Sequence, residues 1–128
     1  MNYYFTKTVD DPMDVSIAKI TQELKKQGFG ILTEIDVAAT LAQKLNVRIN
    51  NYRILGACNP HFAYEALQLE NKIGVMLPCN IIVQEREDGR TEISAVDPVA
   101  SMMAIPNDSL ANIAGQVREK LSSVIENC

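Results

Sequence analysis

Cys58 is the residue in this chain best set up for chemistry. It stands in the run ILGACNPHF, residues 54–62, at the end of strand-forming residues and directly before Asn59-Pro60. A capping residue followed by a proline is a helix-start signal. A thiolate at such a junction is stabilised by backbone amides and by the positive end of the helix dipole, which makes the sulfur a better nucleophile or metal ligand at neutral pH. Cys79, in the run LPCN, is also followed by an asparagine. If the two strands are neighbours, Cys58 and Cys79 form a redox pair, with Cys79 as the resolving partner and His61 as a proton carrier, or they share a soft metal with His61.

Each of these residues has a plainer reading. A cysteine is also a small hydrophobe that fills space, and the single histidine of the chain suits a solvent-facing place in a first helical turn. Structural metal sites show two compact ligand pairs, whereas only Cys58 and His61 are close in sequence, so no metal is assigned. Asn59 reads as a helix cap and Asn80 as a side-chain partner for backbone broken by Pro78. Alternatively, the amides of Asn59 and Asn80 line a pocket at the helix start that takes an anion or carboxylate. Asp97, before Pro98, reads as a turn residue whose carboxylate could face the same pocket. Cys128, the last residue, is expected to fray.

The elements that must position these residues follow from spacing. NYYFTKTV, residues 2–9, is aromatic and β-branched and reads as a strand with Tyr3, Phe5, Lys7 and Val9 on one side. Asp11 as cap and Pro12 in the first turn open a helix carrying Met13, Ile17, Ile20 and Leu24, stopped by Gly28. FGILTEID, residues 29–36, alternates as a strand with Ile31, Thr33 and Ile35 together. Asp36 then caps a short helix ended by Asn46. A strand over 52–58 leads into a helix from Asn59-Pro60 to about Asn71, and IGVML, residues 73–77, has strand composition up to Pro78. IIVQERE and RTEISAV form a hairpin about a two-residue Asp88-Gly89 turn. Asn107 caps a last helix whose stripe is Leu110, Ile113, Ala114, Val117, Leu121 and Val124.

Polar residues such as Lys7, Glu34, Arg53, Gln84 and Glu92 interrupt these strands, which argues against a doubly wound parallel sheet. The expected fold is α+β: a mixed or antiparallel sheet with helices packed mainly on one face. The other face then exposes residues such as Tyr4, Leu55 or Met76, a patch that a dimer partner or a ligand would cover.

Composition narrows the function classes. The 128 residues, 47% hydrophobic and 22% charged, suit one globular domain over 1–128. A net charge of −4 disfavours nucleic acid and anionic membrane surfaces as partners. The apolar window 73–83 is too short to span a bilayer. Three cysteines and no basic-then-apolar leader point to a reducing cytoplasm. No phosphate loop, dinucleotide fingerprint, serine elbow or HExxH motif is present, so no cofactor is expected.

The runs YRILGACNPHFAYEAL, IGVMLPCNIIVQE and ISAVDP together resemble the Domain-of-Unknown-Function 302 family of small prokaryotic proteins. The resemblance spans almost the whole chain and is specific in the combination of Gly56-Ala57-Cys58-Asn59-Pro60, Leu77-Pro78-Cys79-Asn80 and Asp97-Pro98. It implies a compact α+β domain with a curved sheet on helices, TATA-binding-protein-like in broad shape, and a homodimer; it implies no activity.

The leading expectation is therefore a cytoplasmic homodimeric module that binds a small ligand or a protein near Cys58, Asn59, His61, Cys79, Asn80 and Asp97. An enzymatic role stays open, with a non-enzymatic one favoured. The alternative is a thiol-based redox protein or enzyme with Cys58, Cys79 and His61 as candidate catalytic residues. A third reading is an assembly module without a ligand.

Overall fold

The computed structural model describes residues 2–128. Five strands form one antiparallel sheet in the order β1-β5-β4-β3-β2, with β1 at Tyr4–Val9, β2 at Gly30–Asp36, β3 at Tyr52–Cys58, β4 at Cys79–Glu85 and β5 at Thr91–Val96. The helices are α1 (Met13–Lys26), α2 (Val37–Leu45), α3 (Pro60–Leu69), the single turn α4 (Pro98–Ser101) and α5 (Leu110–Asn127). The α+β expectation holds.

Strand alternation separates two chemistries. Leu55, Ala57, Cys79, Ile81, Val83, Ile93 and Ala95 point to one side, where they join Ile20 and Leu24 of α1 and the stripe of α5 in a single core. Phe5, Lys7 and Val9 share that side, opposite Ala95, Ile93 and Thr91, as the spacing predicts. The α5 stripe is buried throughout, from Leu110 to Val124. This is the amphipathic pattern turned into packing, with each fully buried aliphatic side chain contributing roughly 1.5–3 kcal/mol.

Helix ends follow local signals. Gly28 takes φ +83° and donates to the Lys25 carbonyl, while Phe29 donates to Leu24, a Schellman closure of α1 that buries the Phe29 ring. Asn46 ends α2 in the left-handed region. At the start of α1, Pro12 itself occupies the cap position and no side chain caps the helix; Asp11 instead pairs with Lys19.

Several expectations are corrected. IGVML is not a strand: residues Asn71–Met76 form a 3-10 helix, and the strand begins after the cis Leu77-Pro78 peptide, at Cys79. Met76 thus lies off the sheet, and Leu55 faces the core with no exposure. A bulge at Leu32 moves Ile31 to the helix side, opposite Ala57, and Thr33 and Ile35 to the other, opposite Gly56 and Ile54. The hairpin loop has three residues, Glu87 to Gly89, closed by Arg86 and Arg90, and only Gly89 needs positive φ. Asp97-Pro98 opens α4 rather than making a simple turn. Ser109 holds the cap position of α5, with Asn107 accepting from its amide. Cys128 packs against the core rather than fraying.

Gly56 is the tightest point of the sheet. A Cβ there would run into Thr33 Oγ1 on β2 and lie 2.7 Å from Pro78 Cγ. The missing side chain lets the proline ring and the β2 threonine close over β3. Gly56→Ala is expected to lower unfolding stability by about 2–3 kcal/mol through overpacking, measured by urea denaturation; wild-type stability would show that this contact is not tight.

Candidate functional site

The end of β3, the start of α3 and the segment Leu77–Cys79 meet at one end of the sheet. Ala57 pairs with Cys79 and Gly56 with Asn80, so antiparallel pairing carries the Cys58-Asn59 turn alongside the bend at Pro78. Between them lies a half-open recess of about 310 Å³. Phe62, Ala63 and Ala66 of α3 form one wall, Ile113, Ala114 and Val117 of α5 another, and Leu77 and Met102 close the sides. Leu32, exposed by the bulge in β2, stands at the mouth.

Asn59 holds the corner together. Its Oδ1 accepts from the Phe62 amide at 3.5 Å, which caps α3, and its Nδ2 donates to the Gln27 carbonyl at 3.2 Å, at the end of α1. One buried amide thereby joins an unpaired amide of one helix start to a carbonyl at another helix end. Gly28 is required beside it, since a Cβ there would approach Asn59 Nδ2 to 3.0 Å.

The polar groups of the recess are few. Both ends of the Asn59 side chain are engaged, and the Ala63 amide donates to the Asn59 carbonyl. Cys58 and Cys79 line the recess as free thiols. Burial pushes the Cys79 thiol up to about 11, with the nearby Cys58 as a lesser cause, so it stays neutral and apolar at physiological pH. Cys58 sits one step beyond Ala57, the register partner of Cys79. Residues one step apart leave opposite sides of a strand, so the two cysteines are not a directly opposed cross-strand pair.

The other sequence candidates lie elsewhere. His61, at the second position of α3, is exposed and does not line the recess. Asn80 points to the opposite face of the sheet from Cys79 and is exposed there, on the same face as Ile82. Asp97 is 5% exposed and fully employed: it caps α4 through the Val99 amide at 3.0 Å and accepts from Arg118 Nε at 3.1 Å. The Arg118 guanidinium in turn lies 5.3 Å from the centre of the Phe5 ring. This tie fastens α5 to β1 and β5. Among the described residues no group of three or more His, Cys, Asp or Glu is arranged to hold a metal. No described helix is long and apolar enough to cross a membrane.

The residues that sequence reasoning missed are apolar. Ala63, Ala66, Met102, Ala114 and Val117 shape the recess. Two of them, Ala114 and Val117, sit in the apolar stripe of α5, but nothing in a stripe distinguishes a wall facing a void from one facing another side chain.

Two outcomes test this geometry. Asn59→Asp keeps the cap but replaces the donor to Gln27 with an acceptor, and is expected to cost about 1–2 kcal/mol of stability; a neutral result would dismiss the bridge. For Cys79, the unfolded chain deprotonates near the ordinary value of 9.0 while the folded chain holds its proton to about 11. The stability of the buried neutral thiol is therefore complete below about pH 9 and is lost as pH rises to about 11, by no more than about 3 kcal/mol. Denaturation of wild type and Cys79→Ala across that range should show this loss in wild type alone; parallel curves would contradict it.

Comparison with known proteins agrees with the geometry. A search among curated proteins finds no match. The crystal structure of an uncharacterized conserved protein DUF302 from Bacillus stearothermophilus superposes with a TM-score of 0.93 at 26% identity, covering 100% of this chain and 99% of that one. The family model described as domain of unknown function DUF302 matches residues 5–128. With its fold and nearly its whole length so matched, the chain belongs to the DUF302 family.

Proposed function

We propose that the protein is a binding module for a small, largely apolar molecule, seated in the recess between α3, α5 and the Pro78 bend, and that it works as a homodimer in the cytoplasm. The observation that carries this reading is the recess itself: about 310 Å³, at the small end of the range of ligand sites, and walled almost wholly by aliphatic and aromatic groups. An aromatic ring or a short acyl chain suits that lining. An anion does not, because the Phe62 and Ala63 amides at the start of α3 and the Asn59 side chain already have partners, and a buried charge without partners is costly. Asn80, His61 and Asp97 lie outside the recess and drop out of the proposed ligand set; Cys58, Cys79 and Asn59 remain in it.

The thiol-enzyme reading has less support. A resolving cysteine must meet the sulfur it resolves and ionise to attack. Cys79 is buried, its thiol pushed up to about 11, and it is offset by one step from Cys58. The free state of all three cysteines suits a reducing compartment.

A neutral apolar fluorophore such as N-phenylnaphthylamine provides the test. Wild type is expected to bind it at micromolar concentration with a blue-shifted emission, while Ala63→Phe, which fills the recess from its half-exposed wall, should weaken binding at least about tenfold with little change in stability. Equal binding by both proteins, or none by wild type, would overturn the proposal; the second result, with a dimer present, is what an assembly module without a ligand gives.

A further inference from the structure

The sheet's second face lies outside the recess, and its side chains stand apart from the helix-packed core. One rung of the face runs through Thr6, Ser94, Ile82, Ile54 and Ile35, crossing all five strands. Three isoleucines thus stand in a row over β4, β3 and β2, and Ile35 is 50% exposed. Tyr4 and Tyr52 flank the row, and together with the exposed Tyr3 they border a shallow groove over it. Among the described residues Glu92 is the only charged side chain at the strand positions of this face, and Arg86 neutralises it at 2.7 Å. The chain carries 12 basic and 16 acidic residues, and the rest of them lie on helices, loops and the core side of the strands.

We infer that this face is the interface between two copies of the chain, packed face to face about a two-fold axis. The surface deepens the reading above and rests on its homodimer clause. Charge selects the partner. In an isologous contact the same patch meets itself, so a charge near the axis faces its own copy across the interface and is repelled. A face without net charge avoids that penalty, whereas a foreign partner of a chain with net charge −4 would gain from acidic residues at its docking surface. Extent agrees with this choice. Five strands about 4.8 Å apart and about 20 Å long give a footprint of roughly 500 Å², the larger part of the roughly 800 Å² per partner of a standard interface, and the exposed Tyr3 extends it at the rim. Rows of β-branched side chains are also what stacked sheets interdigitate.

Sedimentation equilibrium of the full chain tests the inference, with Ile82→Lys at the centre of the row and Ile35→Lys at its half-exposed end. The second variant guards against a folding failure of the first. Wild type is expected at twice the 14.2 kDa chain mass and at least one folded lysine variant at the single-chain mass, with fluorophore binding in the recess retained. A monomeric wild type at about 0.1 mM, or dimers that persist in every folded variant, would overturn the interface. Loss of fluorophore binding by wild type would strike the recess reading and leave this result standing, so the two fail separately.

Discussion

The Asn59 side chain is the joint on which the arrangement turns. Helices leave amides bare at their starts and carbonyls bare at their ends, and in this molecule one buried carboxamide serves a bare group of each kind, from α3 and from α1. An aspartate could offer only the acceptor and a serine is shorter, so the residue type follows from the geometry. With this joint closed, α3 leaves the sheet at a fixed angle and its apolar face stands across the recess from α5. The Schellman turn at Gly28 and the buried Phe29 ring set the α1 side of the joint.

The second constraint is steric. Gly56 permits Pro78 and Thr33 to lie against β3 where any side chain would hold them off. That close approach brings the Cys79 end of β4 beside the Cys58 end of β3, and the recess is the space left where the helices diverge beyond the last ladder pair. The sheet therefore has three distinct surfaces: a core face under α1 and α5, a neutral outer face, and an end where backbone turns and small residues leave a void. Thiols at that end serve a packing role as well as any chemical one, since a neutral buried Cys79 is an apolar group to a ligand.

Much of this was legible in the sequence, and the failures have physical causes. The cap-then-proline pair at Asn59-Pro60 locates α3, whereas the same pair at Asp97-Pro98 reads as a turn, because the four residues of α4 carry no amphipathic pattern. Apolar composition without alternation at 73–77 suited a strand and a 3-10 turn equally, and misplacing it concealed a simple parity: once a strand starts at Cys79, Asn80 must face away from it. Ile31 and Ile35 look equivalent until the bulge at Leu32 separates them, and bulges leave no reliable mark in a single sequence. The Cys58–Asn59 turn and the kink at 78–80 are legible because each lies at the end of a strand, and the pairing of Ala57 with Cys79 puts them side by side. The void between them was not readable, since it depends on how far two helices stand apart.

Crystals of the protein pressurised with xenon give the most direct measure of the central claim, because xenon enters apolar voids and avoids packed or hydrated polar ones. Anomalous density between Phe62, Ala114 and Pro78 is the predicted result. Crystals that take up xenon elsewhere and show none at that position would contradict the account.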